Sequence, residues 1–112
     1  MNQVSLLDTR PRLRPLEAVP VKHNGAEHIG LRDRTGLVPQ VLLISSETLY
    51  LLSHFDGEHS VREAAHRLSE QFGFLPSDED LARLVESLDE ALFLDSPRFA
   101  AWMDAERREY LA

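Results

Sequence analysis

A chain of 112 residues, 43% of them hydrophobic, suits one domain with its own core, and the absence of cysteine excludes disulfides, thiolate metal sites and cysteine nucleophiles. The formal net charge is −7, and residues 56–112 hold fourteen acids against six lysines and arginines, a balance that repels nucleic-acid phosphate. No apolar run approaches the ~20 residues of a membrane span, and Met1–Pro20 lacks the continuous apolar stretch of a signal peptide, so the expectation is a cytoplasmic protein with no membrane partner.

Residues 1–16 read as an extended N-terminal arm, because Pro11 and Pro15 disfavour helix at and before themselves; it carries Arg10, Arg12 and Arg14. Its alternative is a loose terminus. Residues 17–44 read as a small three-stranded antiparallel sheet. Val19 and Val21 alternate with Ala18, Pro20 and Lys22, and Ile29 and Leu31 with His28, Gly30 and Arg32. Asn24-Gly25 is a hairpin signal, since both residues tolerate positive φ. A second turn falls at Asp33-Arg34-Thr35-Gly36, and Val41-Leu42-Leu43-Ile44 is a short third strand. Pro20 and Pro39 place parts of this sheet on edges.

From Ser45 the period changes from two to 3.6. Ser45 or Ser46 caps a first helix, expected to run to about Phe55, with Asp56-Gly57 as its stop. Ser60 and Glu63 form a capping box before a second helix that ends at Gly73. Ser77 opens a third helix whose stripe is Leu81, Leu84, Val85, Leu88 and Leu92. Phe93-Leu94 reads as a short returning strand in the place of a wing. Ser96-Pro97 opens a last helix with Phe99, Trp102, Met103 and Tyr110 as its stripe. The fold class is therefore α+β: a small three-stranded antiparallel sheet, then a three-helix winged-helix-like core over residues 17–95, then a C-terminal helix or linker over 96–112.

Catalytic patterns are missing. His23, His28, His54, His59 and His66 show no HExxH and no i, i+4 pair, so no metal is expected. Asp78, Glu79 and Asp80 complement a helix N-terminus, and Glu86, Asp89 and Glu90 lie on a polar helix back, which is a solvated face rather than an acid–base pair. The serines stand at helix starts, and there is no GxSxG, Walker A or GxGxxG, so neither enzyme activity nor a cofactor is expected. A helix-turn-helix would offer the third helix to DNA, but that helix carries acids with Arg83 alone, which makes DNA binding the weakest reading.

Residues 45–73, SSETLYLLSHFDGEHSVREAAHRLSEQFG, followed by LARLVESLDEALFL at 81–94, resemble the PqqD-like fold, with Asp56-Gly57 as its turn and Ser60-Val61-Arg62-Glu63 as its second-helix start. PRLRPLEA at 11–18, LRDRTGL at 31–37 and LDEALFLDSPRF at 88–99 resemble the N-terminal region of some AmmeMemoRadiSam system B proteins of the Memo-like family. In those proteins a Memo-like domain follows with a metal or dioxygenase-like site, and no activity of that domain transfers to the residues here. PqqD-like domains are peptide-recognition elements of modified-peptide biosynthesis, in which a segment adds to the third strand beside the third helix. The resemblance thus implies a peptide-binding surface of Val41, Leu42, Leu43 and Ile44 with Glu79, Arg83, Glu86 and Glu90.

The expected function is a non-catalytic protein- or peptide-binding module, whose partner would be a peptide, a Memo-like domain or a radical enzyme. The arm with Arg10, Arg12 and Arg14 is an intramolecular candidate for the same groove. The alternative is a structural or homodimerising domain that docks through Phe99, Trp102, Met103 and Tyr110; the competing account of that stripe is packing on its own core.

Overall fold

The structure, a computed structural model, describes residues 6–111. After a helical turn at Leu6 and Leu7 come β1 (Leu16–His23), β2 (Ala26–Asp33) and β3 (Val41–Ile44), then α1 (Ser46–Leu52), α2 (Val61–Phe72), α3 (Asp78–Glu90) and α4 (Pro97–Leu111). The fold is α+β, as the change of period at Ser45 predicts.

Asn24 and Gly25 both take positive φ, 52° and 79°, the geometry of a tight hairpin whose twist matches its strands. β1 and β2 pair along their full length, from Leu16↔Asp33 to His23↔Ala26. β3 pairs antiparallel with only half of β2, from Arg32↔Val41 to Ile29↔Ile44, so the strand order is β1-β2-β3. Side chains alternate across a strand, so this register sorts the two faces. Leu16, Ala18, Ile29, Leu31, Leu42 and Ile44 face the helices. Val19, Val21, Gly30, Val41 and Leu43 share the outer face, where Gly30 leaves room for its neighbours: a Cβ there would meet Val21 Cγ2 at 2.6 Å and Val41 Cγ1 at 3.1 Å.

Helix starts follow the serines. Ser45 Oγ accepts from Thr48 N–H, Ser77 Oγ from Asp80 N–H, and Ser60 with Glu63 completes the reciprocal capping box. Gly73 ends α2 in the left-handed region, with φ 80°. α1 stops at Leu52 rather than near Phe55, because Ser53 to Phe55 leave the helix through a turn in which Phe55 N–H still reaches Leu52 O. Phe55 nevertheless stays buried with Leu52, Val61, Leu68, Leu81, Val85, Leu88 and Phe93 in one core.

Over its described part the arm is held against the domain and its alternative, a loose terminus, does not apply: Leu7 is fully buried, and isolated backbone β-bridges link Arg12 to Asp56 and Leu13 to Leu94. Thr9 O accepts from Val61 N–H, satisfying a donor that the start of α2 leaves free. Phe93-Leu94 forms no wing strand; one bridge to Leu13 replaces it, because the arm takes the place a returning strand would occupy. The arm lies against the α1–α2 and α3–α4 turns, away from the groove beside β3 that was its candidate position.

Candidate functional site: the β3 edge and its cavity

β2 covers one side of β3; among the described residues no strand pairs with the other. Of the four strand residues named by the sequence, Val41 and Leu43 are exposed on the outer face, while Leu42 and Ile44 are half-buried toward the helices. From Thr35 to Ser46 the chain has no ionisable side chain. The edge therefore offers unpaired backbone donors and acceptors without the charges that usually guard such strands.

Ser45, the residue after β3, borders a cavity of about 310 Å³ between the start of α1 and the first turns of α3, which none of Val41–Ile44 lines. Leu51, Leu68, Leu81 and Leu84 form its apolar wall, and Phe74 and Pro76 close the α2–α3 side. Glu47 and Asp80 supply carboxylates at its lining. Phe72, Phe74 and Leu75 remain exposed at the same turn, with Phe72 edge-on to Tyr50 at 5.5 Å. Ile44 itself, with Ser45, borders a wider hollow of about 650 Å³ under the hairpin, lined also by Ala18, Pro20, Ile29 and Leu49. That hollow lies where the hairpin's two eight-residue strands overhang the seven-residue α1.

The helix residues named together with β3 lie on the exposed face of α3 and do not line the 310 Å³ cavity. Glu79, Arg83, Glu86 and Glu90 recur at i, i+4, i+7 and i+11 and are all exposed, opposite the buried stripe of α3. Arg83 is occupied by Glu79 and Asp80, at 3.2 and 3.4 Å. Glu86 lines another cavity, with Arg10, Arg12 and Pro97. The groove beside Ser45 instead takes Asp80, Leu81 and Leu84. Leu84 reads as a core residue in the apolar stripe, and only its half-exposure marks it as a groove wall.

The α4 stripe divides. Phe99 stacks near Trp102, ring centroids 6.0 Å apart, and lies under the Arg14 guanidinium at 3.7 Å. Trp102 packs on the core, and Met103 borders the arm with Phe99. Tyr110 is 89% exposed.

Charge is organised around Asp33 at the end of β2. Burial pushes its carboxyl up, but donation from Thr35 Oγ1, Thr35 N–H, Arg14 and Val38 N–H outweighs burial and holds its pKa at about 2. Asp56 is likewise held at about 2, by donation from Glu58 N–H and from His59. Among the described residues no group of three or more histidines and carboxylates is arranged to hold a metal ion, and no helix is long and apolar enough to cross a membrane. No protein-family model matches the chain, and neither a curated protein nor a solved structure is detectably similar to it.

Proposed function

We propose that this chain is a non-catalytic peptide-recognition module of PqqD-like type, in which an extended partner segment adds as a strand to the free edge of β3. The observation that carries this reading is the uncharged, unpaired edge at Val41–Ile44, followed at Ser45 by an apolar cavity with carboxylates at its lining. Backbone pairing would supply affinity, and the cavity would supply selectivity. Leu81 and Leu84 suit an apolar side chain; Glu47 and Asp80 favour a lysine or arginine beside it. The family likeness adds a setting, namely association with a Memo-like domain or radical enzyme system.

Selection from a displayed library of random peptides against the immobilised chain tests this. The reading expects enriched sequences that combine an apolar residue with a nearby Lys or Arg, and affinity that falls several-fold in a Glu47→Gln, Asp80→Asn double variant. Absence of enrichment, or binding indifferent to that variant, contradicts it. A second reading, docking or self-association through α4, has the exposed Tyr110 in its favour. Light scattering that finds a monomer across concentrations removes self-association.

A further inference from the structure

We infer that the buried Arg14–Asp33 pair is a positioning device that sets the β3 edge and ties it to the arm and to α4. This rests on the reading of β3 as a binding edge, yet its first test needs no peptide.

β3 has only four residues and pairs on one side, so little in the strand itself fixes where its edge lies. Asp33 fixes the path into it. Its side chain is fully buried, and its carboxylate accepts four bonds. Oδ1 takes Thr35 N–H at 2.9 Å and the Thr35 hydroxyl at 2.7 Å; Oδ2 takes Arg14 Nη2 at 3.1 Å and Val38 N–H at 3.0 Å. Val38 is itself 4% exposed and lies three residues before β3 begins. The connection from β2 to β3 is thereby pinned at both ends of Asp33-Arg34-Thr35-Gly36-Leu37-Val38.

Arg14 carries that anchor to the far side of the domain. Its Nη1 donates to Leu92 O at 2.6 Å, its backbone N–H donates to Phe93 O at 2.9 Å, and its guanidinium covers the Phe99 ring. Leu92 is held at φ 65°, a left-handed conformation that a leucine seldom adopts, at the turn that aims α4. One guanidinium therefore joins the arm, the β2–β3 turn and the α3–α4 turn. A buried ion pair contributes little net stability over an apolar replacement, and fixing geometry is a use that such pairs serve. A partner that shifts α4 or the arm would act on Arg14, through it on Asp33, and so on the edge; binding at the edge would act back on α4 by the same coupling.

The test is residue-resolved amide hydrogen exchange of the full chain. Thr35→Val deletes the hydroxyl of an exposed residue, which donates to Asp33 Oδ1 and accepts weakly from Leu37 N–H at 3.4 Å, and it leaves the buried pair in place, so the fold survives; Thr35→Ser keeps the hydroxyl. The expected result is that Thr35→Val speeds exchange of the protected amides among Val38 and Val41–Ile44 by about fivefold, the scale of the one strong hydrogen bond among the two that are lost. Exchange in α2 and α3 stays at wild-type rates, and Thr35→Ser restores the edge. Phe99→Ala should loosen the same amides from the other end of the linkage. Unchanged exchange at β3, or a uniform change that includes α2 and α3, overturns the inference. If the exchange pattern moves as expected and no library peptide binds, the binding reading of the edge fails while the positioning role stands. If a selected peptide binds Thr35→Val as tightly as wild type, the positioning role fails.

Discussion

The sheet has two outer edges, and they are built in opposite ways. β1 is eight residues long, includes Pro20, which lacks a donor, and carries Glu17 and Lys22. Those are devices that keep an edge from recruiting another strand. β3 has no charge, no proline within it, and flanks equally free of charge. Its only guard is shortness, which discourages sheet-to-sheet aggregation but leaves room for a short segment to add. The difference teaches that exposure alone does not make an edge a candidate for strand addition; the chemistry along it does. Both strands line the wider hollow, β1 through Ala18 and Pro20 and β3 through Ile44, whereas only the chain leaving β3, at Ser45, also reaches the cavity lined by Glu47 and Asp80.

The largest effect that would break this comparison comes from the anchor of β3. Arg14→Ala leaves the Asp33 carboxylate buried beside no cation, and urea unfolding should show a loss of about 3–5 kcal/mol. The same anchor predicts acid sensitivity. The folded pKa of Asp33, about 2, lies below its ordinary value of 3.8, so its stabilising contribution is complete above about pH 4 and is lost as pH falls toward 2. Asp56 and Glu63 are lowered in the same direction, so the thermal midpoint should drop over that window, and Asp33→Asn should flatten the drop without abolishing it.

Next in size is the seam between the two edges. Gly30→Val places a side chain where Val21 Cγ2 lies 2.6 Å and Val41 Cγ1 3.1 Å from the new Cβ, and overpacking of this kind costs about 1–3 kcal/mol. Adding Val21→Ala should recover part of that loss; no recovery would mean that β1 and β3 do not meet over Gly30. Ser60→Ala removes one half of the capping box of α2 and should cost about 1 kcal/mol by thermal or urea unfolding, while leaving both edges as they are. Smallest is Val41→Lys with Leu43→Lys. Both side chains are about half exposed on the outer face, so stability should change by no more than about 0.5 kcal/mol while β3 acquires the charges that guard β1.

The elements were legible because local chemistry fixes them. Asn24-Gly25, Ser60 with Glu63, Ser77 and Gly73 each determine a turn, a start or a stop within a few residues of themselves, and β3 falls where its apolar run does. What stayed hidden was long-range. Arg14 stands in a proline-broken arm, yet it is 6% exposed because its partners, Asp33 and Leu92, lie 19 and 78 positions away. The alternation of β1 and β2 leaves open which residues share a face; only the register puts Val19 opposite Gly30 and Ala18 opposite Leu31. Of the candidate site, the strand was legible from its run of apolar side chains and the exposed face of α3 from its helical stripe; Asp80 and Leu84 become groove walls only once α1 is placed beside them.

The most direct test of the account is an NMR titration of the isotope-labelled chain with a peptide selected from the displayed library. The account predicts cross-strand contacts from the peptide backbone to β3, with amide shifts at residues 41–45 and 80–84. Shifts confined to residues 97–111, with β3 unmoved, would contradict it and make α4 the docking surface.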